Sequence, residues 1–119
     1  MDVGKNTALD IIYKTLNPKQ IESSIIYWDK RIIEKGNKIR VGLKEISMPF
    51  NGMTIFVDLA PKLNWAHPCL YLLVNVENLY TNVIEASFPP YLGEFPATSV
   101  IVLRYGKKPI NDRDFQTFD

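Results

Sequence analysis

Residues Ile55 to Val76 read IFVDLAPKLNWAHPCLYLLVNV. On the near side of the polar link, Met53, Ile55, Val57 and Leu59 alternate with Thr54, Phe56 and Asp58. On the far side, Leu70, Leu72, Val74 and Val76 alternate with Tyr71, Leu73, Asn75 and Glu77. A period of two marks strands with two distinct faces. The link from Pro61 to Pro68 is too short for a parallel crossover, which takes a dozen or more residues. The two runs therefore read as antiparallel neighbours in a sheet.

Outward from this pair, the same logic finds more strands. Ile39, Val41 and Leu43 alternate with Lys38, Arg40 and Lys44, and Pro49 to Gly52 reads as a turn. Val83 to Phe88 and Ser99 to Tyr105 are further short strands, separated by Pro89-Pro90, which cannot donate to a ladder. The first third has helical spacing instead. Thr7 and Asp10 resemble a capping box ahead of Leu9, Ile12, Tyr13 and Leu16. Asn17-Pro18 stops this helix and begins another, with Gln20 at the capping-box position. Ile21, Ile25, Trp28 and Ile32 form a stripe that predicts a helix over 18–35, closed by Gly36.

The expected fold is α+β: two N-terminal helices packed on one face of a roughly five-stranded, mainly antiparallel sheet. One domain covers 1–119, helical over 7–35, sheet over 38–105, with a polar tail over 106–119. A chain of 119 residues buries a core without disulfides or metals. A net charge of +1 supplies no field favouring nucleic acid or an anionic membrane. The longest apolar run, Cys69 to Val74, is far short of a membrane span. The lone cysteine and the absence of a signal-like N-terminus point to a cytoplasmic protein.

Chemistry-bearing residues gather at the Pro61–Pro68 link, which holds the sole histidine, His67, with Trp65 beside it; the sole cysteine, Cys69, follows at once. One His and one Cys fall short of the four ligands of a structural zinc site, so neither metal nor cofactor is expected. A Cys69–His67 nucleophilic pair needs the imidazole within reach of the sulfur. The alternative is a buried Cys69 opening a core strand and a His67 that ties down the loop. Asp58, alone on an apolar strand, is placed to accept loop N–H groups or to orient His67.

Between Ile46 and Thr98 only five residues are charged, and aromatic residues are frequent there. Such composition suits a sheet core and also a recognition surface. The expected function is a non-enzymatic protein-binding module, most specifically an immunity- or antitoxin-type inhibitor of a bacterial toxin, with Trp65, Tyr71, Tyr91 and Phe95 as anchors. Alternatives are a small enzyme or ligand-binding protein using Asp58, His67 and Cys69, and a structural homo-oligomer joined through sheet edges. The partner is expected to be another protein, with no nucleic acid or membrane involved.

Overall fold

The computed structural model describes residues 4–63, 66–89 and 95–109. Two short helices, α1 (Lys5–Thr15) and α2 (Pro18–Ser23), precede seven strands. These are β1 (Ile25–Ile33), β2 (Lys38–Val41), β3 (Lys44–Ser47), β4 (Gly52–Asp58), β5 (Cys69–Asn75), β6 (Thr81–Ala86) and β7 (Ser99–Arg104). Five form one antiparallel sheet in the order β6-β5-β4-β1-β7, and β2 and β3 form a separate hairpin. The α+β class and the antiparallel sheet agree with the sequence reading.

The helix over 18–35 is corrected. It ends at Ser23, and residues 25–33 are β1, next to the centre of the sheet. The start of α2 is as expected: Asn17 Oδ1 accepts from the Gln20 amide at 2.8 Å, and Gln20 Oε1 accepts from the Asn17 amide at 2.9 Å. Continuation fails because IIYWDKRII is rich in β-branched and aromatic residues, which fit a pleated sheet. Gly36 does take a left-handed conformation, φ +91°, but it links two strands rather than closing a helix. Thr7 caps nothing; α1 begins two residues earlier, behind Gly4.

The strands do not follow one another across the sheet in chain order. Only β4-β5-β6 is a meander. The chain then passes from one edge of the sheet to the other, where β7 pairs with β1. The strand at 38–41 lies outside the main sheet, and β1 supplies the fifth strand.

These connections cover both faces. Ala8, Leu9, Ile12 and Leu16 of the helical region pack on Ile26, Trp28, Ile55, Val57, Leu70 and Leu72. On the opposite face, Ile39, Val41 and Met48 of the hairpin region pack on Phe56, Tyr71 and Leu73. Phe95, from the connection between β6 and β7, stacks on Tyr27 with ring centroids 4.1 Å apart and planes 9° apart. A sheet buried on both sides explains why nearly every residue of β4 and β5 is inaccessible.

Candidate functional site

The link between β4 and β5 leaves the sheet at Asp58 and returns at Cys69, which are directly paired across the strands. Asp58 Oδ1 accepts from the Ala60 amide at 3.2 Å and lies 2.8 Å from His67 Nε2. The His67 amide donates to the Ser87 carbonyl at 3.0 Å, and the Leu63 amide donates to Ala60 at 3.0 Å. His67 is only 8% exposed. A loop of this length is thus fastened at its base by a part-buried side-chain pair and to the segment after β6 by one backbone bond. Both roles foreseen for Asp58, backbone acceptor and partner of His67, are filled at once.

Cys69 is buried and points elsewhere. Its Sγ donates to the Phe88 carbonyl at 3.2 Å. Burial, aided by the negative charge of Asp58, pushes the thiol up to about 11, against a smaller opposing effect of the Phe88 contact. At neutral pH the sulfur is therefore a protonated hydrogen-bond donor. The same Phe88 carbonyl accepts from Tyr71 Oη at 2.7 Å, and Tyr71 Oη accepts from the Gly42 amide at 3.0 Å. Tyr71 is 3% exposed, so this anchor residue sits inside the molecule, where it joins the sheet, the hairpin and the chain beyond β6.

Phe95 is half-buried against Tyr27 and Phe56. Trp65 and Tyr91 lie outside the described residues. Two exposed side chains that the sequence reading passed over are Leu63, 56% exposed, and Tyr105, 38% exposed. They line one shallow groove of about 300 Å³ with Ser23, Ala60, Pro61 and Lys62. The Tyr105 amide donates to Ser24 at 2.8 Å, which fixes that wall. No periodicity announces such a pairing, because Leu63 and Tyr105 come from separate turns.

A second polar cluster lies on the hairpin side. Between Asp29 and Ile33 the pairing of β1 with β4 slips, and the buried Asp29 carboxylate takes the Arg31 amide at 3.0 Å. The Arg31 guanidinium grips the same carboxylate, Nε at 3.0 Å and Nη2 at 2.6 Å from Oδ2. Burial opposes the charge on Asp29, but the hydrogen bonds and positive charge of Arg31 outweigh it and hold the carboxyl below the usual range. A cavity of about 40 Å³ lies beside this pair, bounded also by Tyr27, Thr54, Phe56 and Phe95. It has room for a water or two.

Among the described residues, no three His, Cys, Asp or Glu side chains lie close enough to hold a metal ion. No helix among them is long and apolar enough to cross a membrane. The fold and site together define a three-layered α+β domain, helices on one face and a hairpin on the other, that presents a clamped loop. Comparison with known protein families, curated proteins and solved structures gives no significant match for this chain.

Proposed function

We propose that the chain is a non-enzymatic protein-binding module, most specifically an immunity- or antitoxin-type inhibitor that occludes a bacterial toxin. The observation that carries the binding reading is the clamped loop. Leu63 is presented beside Tyr105 on a loop whose base is fastened by Asp58 and His67. A preorganised apolar surface loses little entropy on docking, which is where binding energy is otherwise spent. The toxin-inhibitor form of this reading is supported by the small single-domain chain and by a site chemistry consumed in internal bonds. Trp65, outside the described residues, follows Leu63 by two positions in the sequence and is kept as a proposed anchor.

The test is an affinity capture from the native host with tagged protein, followed by binding measurements on the recovered partner. The double variant Leu63→Ser with Tyr105→Ser should bind at least about tenfold more weakly, as loss of two anchors implies. Its thermal midpoint should stay near that of the parent. Unchanged affinity in the folded double variant removes this surface from the proposal.

One observation favours a second reading. The 2.8 Å Asp58–His67 contact is the arrangement that orients an imidazole for general-base work. A small enzyme or ligand-binding protein built on that pair would lose its activity in His67→Asn. The binding module would keep its partner and lose only some loop order.

A further inference from the structure

The two edges of the main sheet are built differently. At the β7 edge the pairing with β1 slips at Val102, and the strand ends where Arg104 and Lys107 bond to each other. A bulge and a turn of this kind discourage pairing with another chain. At the β6 edge the register with β5 runs without a break from Thr81 to Ala86, and the strand has no proline or lysine. Edges left in this state are templates for a further strand.

The hydrogen-bond phase of β6 is set by its first contact. The Tyr80 carbonyl accepts from the Asn75 amide, so Tyr80 faces β5. Alternation along an antiparallel strand then turns Asn82, Ile84 and Ala86 toward β5 and Thr81, Val83 and Glu85 outward. Among the described residues, no backbone bond reaches those three from outside. Val83 is 45% exposed and Glu85 is exposed.

We infer that β6 pairs antiparallel with β6 of a second copy of this chain, about a two-fold axis at Val83, joining two sheets into one. Opposed residues must share a sheet face, and only a register with like parity allows this. Val83 then meets its own copy, and Thr81 meets Glu85 of the other copy. The three outward residues supply about six interchain backbone hydrogen bonds. The two Val83 side chains cover each other on the axis.

A second copy, unlike an arbitrary strand, carries its own Glu85 to the groove that holds Lys14. Thr81 lines a groove on the helix face with Asp10, Ile11, Lys14 and Leu79. The pairing brings Glu85 of one copy to Thr81 of the other, hence to the mouth of the groove that holds Lys14. Lys14 makes no ion pair among the described residues. Asp10 lies one helical turn before it on the same wall, so the groove offers the incoming carboxylate one cation and one anion. Lys14 is at the end of α1 nearer its C-terminus. The inference concerns the opposite side of the sheet order from β7 and Tyr105, and it stands or falls apart from the binding surface proposed above.

Light scattering coupled to size exclusion tests it, on the full chain across micromolar to hundreds of micromolar concentrations. The parent should run at twice its 13.7 kDa. Val83→Pro removes an outward amide and no internal ladder bond, so it should be a folded monomer. Glu85→Lys should weaken dimerisation at least about fivefold by opposing Lys14, and the added change Lys14→Glu should restore it. The charge-swapped pair keeps the test valid even if Val83→Pro unfolds. A parent that is monomeric throughout overturns the inference. So does a dimer that Glu85→Lys leaves untouched, or one that Lys14→Glu fails to rescue.

Discussion

At Gly52 the entrance to β4 passes so close to β5 that no side chain fits. A Cβ there would collide with the Val74 carbonyl oxygen and lie 2.9 Å from Met48 Cε. The methionine end can move, but the carbonyl belongs to the strand ladder and cannot. Gly52→Ala should therefore cost about 2 kcal/mol or more, the upper part of the range for overpacking. The urea midpoint should fall with an unchanged slope. A midpoint within error of the parent would show that β4 and β5 separate there at no cost. Cys69 gives a second test at this scale. Its folded value of about 11 lies above the reference 9.0, so the folded state holds the proton more tightly. That contribution is intact below pH 9 and is lost as pH rises through about 11. The stability of the parent relative to Cys69→Ala should thus fall over that interval and be flat at neutral pH. A thiol reagent at pH 8 should label the folded protein more than about tenfold more slowly than the unfolded chain, since the raised pKa lowers the thiolate fraction. Rapid labelling of folded protein would show an accessible thiolate and revive a chemical role. The Asp58–His67 contact was legible in the sequence because both residues flank one short link between paired strands. The burial of Tyr71 was not, because a strand period says which residues share a face and is silent on what covers it.

Among the elements, β1 shows where a sequence pattern misleads. Ile21, Ile25, Trp28 and Ile32 recur at helical spacing, yet Ile25 onward is strand. A strand buried on both faces has apolar residues at successive positions, and a continuous apolar run fits either period. The residues that break the run, Asp29 to Arg31, are where β1 slips against β4. Asp29 makes that slip tolerable, because its carboxylate takes the Arg31 amide as well as the guanidinium. A carboxyl held below its unfolded value stabilises the fold above that value, and the effect is lost as pH falls through the folded one. Asp29→Asn should accordingly be destabilising at pH 7, and the gap to the parent should shrink below about pH 4. Chemical denaturation at a series of pH values measures it. A gap independent of pH would mean that the carboxylate charge contributes nothing and that shape alone matters. The helix start at Asn17 and the two central strands were readable from local rules; the hairpin was not, since Gly36 read as a helix end and Gly42 as a strand position. Strand order was not, since β1 and β7 meet only through contacts remote in sequence.

For the whole molecule, the three layers differ in how they are held. The central strands β4 and β5 are each paired on both sides and buried on both faces. The β2–β3 hairpin pairs only with itself over four residues per strand, through a two-residue turn whose Gly42 has φ +65°. Among the described residues its attachment to the sheet includes Ile39, Val41 and Ile46 on the apolar side and the hydrogen bond from the Gly42 amide to Tyr71 Oη. Units with few outside contacts open at lower free energy than the global unfolding of the core. Hydrogen exchange should hence find two classes. Amides of β4 and β5 should exchange only with global unfolding, and those of β2 and β3 should exchange sooner, by lifting of the hairpin alone. Tyr71→Phe separates the classes by design. It deletes the hydroxyl that joins Gly42 to the Phe88 carbonyl, a loss of about 1 kcal/mol on ordinary hydrogen-bond energetics. The Phe88 carbonyl keeps its contact with Cys69 Sγ. Exchange at Gly42 should quicken most, the rest of the hairpin should follow, and the β4–β5 amides should fall only by the change in global stability. If Gly42 exchanges no faster than the Leu72 amide in the variant, the hairpin is not a separate layer. Sheet and hairpin would then open as one body, and the face formed by Phe56 and Tyr71 would never be uncovered short of unfolding.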